Sequence, residues 1–248
     1  MKQVKVRVGM KVWENHVEME MVLPDGPTRL ESLLPVFHRI ADGFVGLAAE
    51  RAAGEGRVVS CKKGCGACCR QLVPISEVEA RQIGRLVEEL PEPRREEIRA
   101  RFERARERLA EAGLLAKLEN REGFEEGEFH SVGLAYFHVG IPCPFLEDES
   151  CSIHPDRPIS CREYLVTSPA ANCADPKPGT IDRVEMPPKV WTALARAGSA
   201  GAPARYIPWV PLVLAPAWAS QHPDASEPRP VEEVFTGVVN ELARREGV

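Results

Sequence analysis

Eight cysteines are the residues of this 248-residue sequence whose type and spacing carry chemistry. Four of them fall between Cys61 and Cys69, and the other four lie far downstream. Thiols that merely fill a core are scattered through apolar segments, whereas crowded thiolates are typical ligands of zinc, iron and iron–sulfur clusters. The pattern therefore predicts a cysteine-ligated metal centre. Its expected ligands are Cys61, Cys65, Cys68, Cys69, Cys143, Cys151, Cys161 and Cys173.

The spacing inside the first group limits how these thiolates are shared. Two residues separate Cys65 from Cys68, a gap at which a tight turn directs both thiolates to one metal, and Gly66 permits that turn. Cys68 and Cys69 are adjacent, so their side chains diverge and one tetrahedron hardly holds both. We therefore expect a composite centre, in which at least one downstream sulfur completes the shell. Two zinc sites, a four-iron cluster and one polynuclear centre all fit the spacing.

Basic residues lie within a few positions of the cysteines. Lys62 and Lys63 follow the first cysteine, while Arg157 and Arg162 are embedded in the downstream cysteine loop. Cations lower thiol pKa values and offset the negative charge that accumulates when several thiolates share a metal. Arg157 and Arg162 are therefore predicted to contact the cofactor.

One alternative is a radical-SAM enzyme, because Cys61-x3-Cys65-x2-Cys68 has the spacing of that cluster motif. In that family the triplet follows the first strand of a β/α barrel, usually with an aromatic residue before the last cysteine. Here Ala67 takes that place, and the downstream segments do not alternate strand with helix. The context argues against this alternative.

Three short segments occur in a fixed order: Cys65-Gly-Ala-Cys-Cys-Arg, then Cys143-Pro-Phe-Leu, then the stretch from Cys151 to Arg162. Together they resemble the cysteine-cluster family of zinc- or iron-chelating proteins, the CxxCxxCC domain, over about residues 57–175. The chain departs from that pattern in its Cys-x3-Cys first gap and in His154, where tyrosine is usual. The resemblance implies a metal- or cluster-binding protein. One branch is linked to flagellin lysine methylation, but no glycine-rich SAM-binding loop follows a strand here.

The hydrophobic periodicity, helix caps and prolines along the chain predict a mainly α fold with minor β structure and long, proline-rich, metal-stabilised loops. Residues 2–23 alternate apolar and polar, which predicts a hairpin with its turn within Gly9–His16. Thr28 with Glu31 predicts a capping box for a helix that Pro35 kinks or divides. That helix is expected to end at residues 54–56.

Further helices are marked by caps and prolines. Ser76 and Glu79 predict a capping box, and Pro93, Pro188 and Pro230 each predict the start of a helix. Residues 119–142, with four glycines, are predicted to be irregular. We expect one domain over residues 1–248, with residues 57–175 as its metal-binding core.

The net charge and the apolar segments narrow the range of possible partners and locations. The formal net charge of −5 gives no argument for nucleic-acid binding. The apolar stretch 206–219 is interrupted by three prolines and is too short to span a membrane. The N-terminal residues contain no apolar signal segment, which predicts a cytoplasmic protein whose cysteines stay reduced or bind metal.

Three functions follow from these features. The first is a metal-binding protein with a zinc or iron centre, with iron–sulfur as one form, in redox chemistry or metal handling. The second is an enzyme, an oxidoreductase or a protein methyltransferase, that uses the centre beside a small-molecule substrate. The third is an interaction module for a protein partner, in which zinc only holds the loops together.

Overall fold

The computed structural model describes residues 3–121, 124, 127–199 and 207–244, and it begins with the predicted hairpin. Strands β1 (Gln3–Val12) and β2 (Asn15–Pro24) pair antiparallel, from Gln3 opposite Pro24 to Val12 opposite Asn15. Trp13 adopts a positive φ of 51° in the turn. The alternation turns the valines and methionines of one face towards the core, because successive strand residues point to opposite faces. The hairpin and its turn are confirmed.

The next segment divides where the proline predicted a break. A 3₁₀ turn at Leu30–Leu33 precedes helix α1 (Leu34–Gly54), with Pro35 in the first helical turn. The predicted Thr28 cap is wrong. Thr28 belongs to strand β3 (Pro27–Thr28), which pairs with β8 (Arg229–Pro230), and its side chain makes no capping bond. The proline moves the start of the α-helix downstream and so leaves Thr28 too far away to cap it.

Two helices then follow as predicted. Ser76 caps α2 (Glu77–Glu89): the Glu79 N–H donates to Ser76 Oγ, and the Ser76 N–H donates to the Glu79 carboxylate. Helix α3 (Arg94–Glu111) begins after Pro93. Both helices bury one apolar face, so the capping box and the proline start are confirmed.

The prediction of irregular structure over 119–142 is wrong. Helix α4 (Leu115–Glu119) ends there, and α5 (Glu128–Val139) occupies half of that stretch. Gly127 and Gly140 flank α5 with φ values of 82° and 69°, a region that only glycine adopts without strain. Glycines that suggested a loop instead form the two ends of a helix, and α5 buries Val132 and Tyr136.

The remaining elements are mostly short. They are β4 (Pro74–Ile75) paired with β7 (Val210–Pro211), β5 (Leu146–Glu147) paired with β6 (Ser150–Cys151), and helices α6 (Ile159–Glu163), α7 (Val190–Gly198), α8 (Ala215–Gln221) and α9 (Val231–Ala243). Helices α7 and α9 follow Pro188 and Pro230, as predicted. The chain is mainly α with minor β structure, which confirms that part of the predicted fold class. No helix of the described ranges is both long and apolar enough to cross a membrane.

The apolar core positions the cysteines. One cluster joins the hairpin to α1, α7 and α9, and a second surrounds α3, α4, α5 and Trp209. A third cluster packs α2 and α3 against Phe145 and Ile153, with three downstream cysteines at its edge. Because these elements are held by buried side chains, the cysteine loops rest on a rigid support.

Candidate metal centre

The first cysteine group lies on a tight turn and a 3₁₀ helix. Ser60 anchors its start, since the Ser60 N–H and hydroxyl donate to the carbonyls of Val166 and Ser168 at 3.0 and 2.6 Å. The Cys65 N–H then donates to the Lys62 carbonyl at 3.1 Å, across a turn in which Gly64 has a φ of 85°. Cys68 and Cys69 follow on the 3₁₀ helix Ala67–Arg70.

The downstream cysteines are spread over three small elements. Cys143 precedes the β5–β6 hairpin and Cys151 ends it, whereas Cys161 lies in α6 and Cys173 ends the 3₁₀ helix Ala170–Cys173. The two-residue turn of the hairpin holds Asp148 and Glu149 at positive φ values of 46° and 55°. That turn geometry matches the twist of a two-stranded ribbon.

The two cysteine groups contact each other directly. The Cys143 N–H donates to the Cys69 carbonyl at 2.7 Å. Arg70 donates to both carboxylate oxygens of Glu149, at 2.9 and 2.6 Å, and also to the Gly66 carbonyl. The chain therefore returns to its first cysteine group at Cys143, as the composite prediction requires.

All eight cysteines line one cavity of about 2140 Å³. All are free thiols, Cys173 is buried, and the other seven are half-buried. The structure therefore brings all eight of the cysteines predicted as ligands to the same region.

Burial dominates the ionisation of most of these thiols. It raises the pKa of Cys143 to about 12 and that of Cys161 well above its ordinary value, since a thiolate loses its water there. Cys68 differs: a hydrogen bond from the Cys69 thiol lowers its pKa to about 7, and the same bond raises the pKa of Cys69. The adjacent pair thus contains one thiol that ionises easily and one that does not.

The thiols influence one another in two overlapping groups, and Cys68 belongs to both. The pKa of Cys173 is raised by burial and then by the charges of Cys61, Cys68 and Cys65. The pKa of Cys161 is raised by burial and then by Cys143, Cys68 and Cys151.

Both groups pack on the 3₁₀ helix Ala67–Arg70. The 3₁₀ helix of Cys173 lies against it, and the Cys143 N–H is bonded to its Cys69 carbonyl. Cys68 and Cys69, the adjacent pair, lie where the two groups meet.

Backbone N–H groups point at several of the sulfurs. Burial raises the pKa values of Cys61, Cys143 and Cys151, and N–H groups of Val166, Phe145 and Ile153 respectively oppose that rise. Such N–H donors are the usual outer partners of sulfur ligands, because they stabilise the thiolate form.

The donor chemistry fits zinc or iron, but the thiols are not arranged as a complete coordination shell. Within the described ranges, no three Cys, His, Asp or Glu side chains are arranged to hold one ion as they stand. Thiolates repel one another, and a bound metal ion would offset that repulsion. Binding must therefore rotate thiol side chains that already share the cavity.

The two predicted arginines have different surroundings. Arg157 lines the cavity and lowers the pKa values of Cys61, Cys68 and Cys151, in each case as a lesser effect. The Arg162 guanidinium is buried instead against Asp42, with both carboxylate oxygens at 2.9 Å, and it also donates to the Arg157 and Pro155 carbonyls.

Glu79 also supports the site, although the sequence predicted it only as part of a helix cap. Its carboxylate is buried and accepts the N–H of Ile159, the first residue of α6, at 2.7 Å. Glu79 therefore holds the helix of Cys161 from one side, while the Arg162–Asp42 pair holds it from the side of α1. The Ser-x-x-Glu pattern predicted the cap but could not predict this long-range bond.

The aromatic part of the cavity was also missed. Trp209 lines it, with the edges of Phe124 and Phe129 at ring-centroid distances of 6.0 and 5.2 Å. The apolar run around Trp209 was visible in the sequence, but it did not predict a role at the site. The partners come from a different segment.

A comparison with protein families finds a match over residues 60–178 to the model CxxCxxCC, described as "Putative zinc- or iron-chelating domain". No curated protein and no solved structure matches the chain. The matched segment contains all eight cysteines and both predicted arginines. Residues 60–178, just under half of the chain, thus match the model of the CxxCxxCC family of cysteine-cluster domains.

Proposed function

We propose that this protein binds zinc or iron through cysteines of both segments and acts in cytoplasmic redox chemistry or metal handling. One observation carries the proposal: all eight thiols line a single cavity. Thiolate is the ligand that zinc, iron and iron–sulfur clusters share, so the cavity fits each of these.

The proposed ligands fall into two sets of four. The first is Cys61, Cys65, Cys68 and Cys173, and the second is Cys69, Cys143, Cys151 and Cys161. Two findings support this division. Cys61 and Cys65 act on the pKa of Cys173, whereas Cys143 and Cys161 act on that of Cys69, and the Cys143 N–H is bonded to the Cys69 carbonyl. Assigning Cys68 and Cys69 to different sets also removes the conflict of two adjacent ligands at one tetrahedron.

Arg157 is proposed to offset the thiolate charge, because its side chain borders three of the cysteines and forms no ion pair within the described residues. Arg162 is proposed to support the cofactor site indirectly, by fixing the loop that carries Arg157 and Cys161. Bound metal supplies either a closed structural link or a redox-active centre. The long loops of residues 57–175 would be stabilised in both cases.

The test is elemental analysis with an absorption spectrum on protein purified without oxygen. A brown sample with iron and sulfide identifies an iron–sulfur centre, and a colourless sample with zinc identifies a thiolate zinc centre. A protein that contains neither metal, and takes up neither after incubation with Zn(II) or Fe(II), contradicts the proposal.

An enzyme that uses the centre is the second candidate. The cavity has a volume of about 2140 Å³, which exceeds the range of roughly 300–1,000 Å³ that is usual for small-molecule pockets. A metal with its sulfur ligands at about 2.3 Å fills only a small part of that space. The remaining volume favours an organic substrate beside the centre, as an oxidoreductase would need.

A further inference from the structure

The β5–β6 hairpin carries proposed ligands of the second set at its start and its end. Cys143 precedes the hairpin, and Cys151 is the last residue of β6. At its base the Leu146 N–H donates to the Cys143 carbonyl at 2.9 Å. The Ser152 N–H donates to the Phe145 carbonyl at the same distance. Since its own hydrogen bonds and a two-residue turn close this short ribbon, we expect it to move as one piece.

Helix α3 anchors the base of the hairpin. The Phe145 ring is buried and meets Phe102 of α3 edge to face, with the ring centroids 5.5 Å apart. Arg101, also of α3, donates to the Pro144 carbonyl at 3.1 Å and to the Glu147 carboxylate at 2.7 Å. These contacts are buried or partly buried, so the base is held firmly against α3.

An exposed ion pair holds the turn of the hairpin. Both carboxylate oxygens of Glu149 accept from the Arg70 guanidinium, at 2.9 and 2.6 Å. The Arg70 side chain is 36% exposed and that of Glu149 is 51% exposed. Exposed ion pairs stabilise weakly in water, and salt screens them. The turn is therefore held less firmly than the base.

This ion pair joins the segments of two proposed ligands of the second set. Arg70 directly follows Cys69, and Glu149 lies two residues before Cys151. The backbones also meet closely at this place, because a Cβ added to Gly66 would lie 3.2 Å from the Glu149 Cα. Separation of the pair would let the turn leave the first cysteine group.

The second set needs such a movement if it is to exchange metal. A metal with four thiolate ligands is enclosed by them, so an ion enters or leaves only when a ligand moves away. Cys69 and Cys143 are joined by a backbone hydrogen bond of 2.7 Å. The helix of Cys161 is held by the buried Glu79. Cys151 differs from these three, because it lies beside the exposed turn.

We propose that the β5–β6 hairpin is the gate of the second metal site and that the Arg70–Glu149 ion pair is its latch. When the pair separates, the turn moves away from Gly66 about the base on α3 and withdraws Cys151. When the pair forms again, the backbone returns to the present arrangement, and the thiols need only rotate to bind the ion. The inference rests on the proposed function, because it describes how that site exchanges its metal.

The probe is Zn(II), with which the full chain is reconstituted without oxygen. Stopped-flow absorbance measures zinc release to a chromophoric chelator and zinc uptake by the zinc-free chain. The kinetic phase that is absent in Cys151→Ser belongs to the second set. In that phase, Glu149→Gln should accelerate both release and uptake roughly three- to fivefold, the effect of losing an exposed ion pair. The dissociation constant should change little, because a gate alters both rates alike.

Salt and a double variant test the latch itself. Sodium chloride should accelerate release from the unmodified protein but have little effect on Glu149→Gln, which has no ion pair to screen. Arg70→Gln should also accelerate both rates, and the double variant should be no faster than Arg70→Gln alone.

Glu88→Gln is the matched control. It removes an equally exposed ion pair with Arg99, which joins α2 to α3 away from the hairpin, and it should change neither rate.

The uptake rate separates a gate from a merely structural contact. Faster release with unchanged uptake in Glu149→Gln would mean that the pair only positions a ligand, and it would overturn the gate. An equal response to salt in both proteins would overturn it as well. A chain that binds Zn(II) and keeps its rates in Glu149→Gln refutes the gate alone. A chain that takes up neither Zn(II) nor Fe(II) refutes the proposed function, and the gate with it.

Discussion

The backbone N–H of Cys143 donates a hydrogen bond of 2.7 Å to the carbonyl of Cys69, and this bond joins the two halves of the cysteine cluster. The two residues are far apart in sequence, and helices α2, α3, α4 and α5 lie between them. Because the bond is formed by the backbone, it joins the two segments without using either thiol. Thiols on either side can then reach a shared ion by rotating side chains rather than by moving loops.

Single Cys→Ser changes test whether the ligands divide into the two proposed sets. If they do, Cys65→Ser and Cys151→Ser each lose one of two metal ions, since each removes a ligand from a different site. The double variant Cys65→Ser/Cys173→Ser should keep one ion, whereas Cys65→Ser/Cys151→Ser should keep none. Native mass spectrometry counts the ions.

Other outcomes of that experiment are equally informative. Loss of all metal in every single variant would mean one polynuclear centre and reject the division. Full occupancy in both Cys151→Ser and Cys173→Ser would mean that the first cysteine group binds alone, and the composite centre would have to be dropped.

Gly66→Ala should loosen the contact between the two cysteine segments. A Cβ at Gly66 would lie 2.6 Å from Leu146 Cδ1 and 3.2 Å from Glu149 Cα, which is backbone and cannot rotate away. The turn between Cys65 and Cys68 must then shift from the β5–β6 hairpin. We expect metal affinity to fall roughly 10–100-fold, as for other changes behind metal ligands. Competition with a chromophoric chelator measures this.

Gly46→Ala is the matched control for that change. Gly46 lies in α1 with nothing within 4 Å of an added Cβ, so alanine should leave metal affinity unchanged. It should also raise the free energy of unfolding by about 0.5–1 kcal/mol, because alanine favours a helix. Equal metal affinities in both variants would remove any role for the close approach at Gly66.

Arg157→Gln and Arg162→Gln should affect different properties, metal retention in the first case and stability in the second. Arg162→Gln leaves two loop carbonyls without a buried donor and breaks the pair with the half-exposed Asp42. It should lower the free energy of unfolding by about 1–3 kcal/mol. Arg157→Gln should change stability little but weaken metal retention. Urea unfolding and metal competition measure the two quantities, and a stable Arg162→Gln with reduced metal affinity would reverse the assignment.

Local patterns in the sequence were sufficient for many of the elements. The valine alternation before Val12, the Ser76–Glu79 box and the prolines at 93 and 230 act over a few residues, so each predicted its element correctly. The failures have the same physical origin. Thr28 and the glycines around α5 have several local conformations, and contacts with distant segments select among them.

The candidate site was likewise predictable from the sequence only in part. Spacing and residue type identified the thiols and predicted that the downstream group would return to the first. No local pattern predicted that Glu79 would bind the N–H of Ile159, or that Arg183 would lie over Tyr164. Those contacts depend on how α2 and the segment after Cys173 pack on α6, which a single sequence does not specify.

The Glu163 carboxyl makes stability depend on pH. Burial raises its pKa from 4.5 to about 8, and the N–H groups of Val190 and Trp191 only partly oppose that rise. Between these two values the folded chain holds a proton that the unfolded chain has lost. The free energy of unfolding should therefore fall as pH rises from about 4.5 to about 8 and stay low above that range.

Glu163→Gln tests this dependence, because glutamine keeps a side-chain oxygen for the Val190 N–H but has no proton to lose. Relative to the unmodified protein, the variant should be about 1–3 kcal/mol more stable at pH 9 and show no such gain at pH 5. Urea unfolding of both reduced proteins at both pH values measures the difference, and the cysteines, which also titrate, are common to both proteins and cancel in it. A stability difference that is the same at pH 5 and pH 9 would mean that Glu163 is ionised in the folded chain.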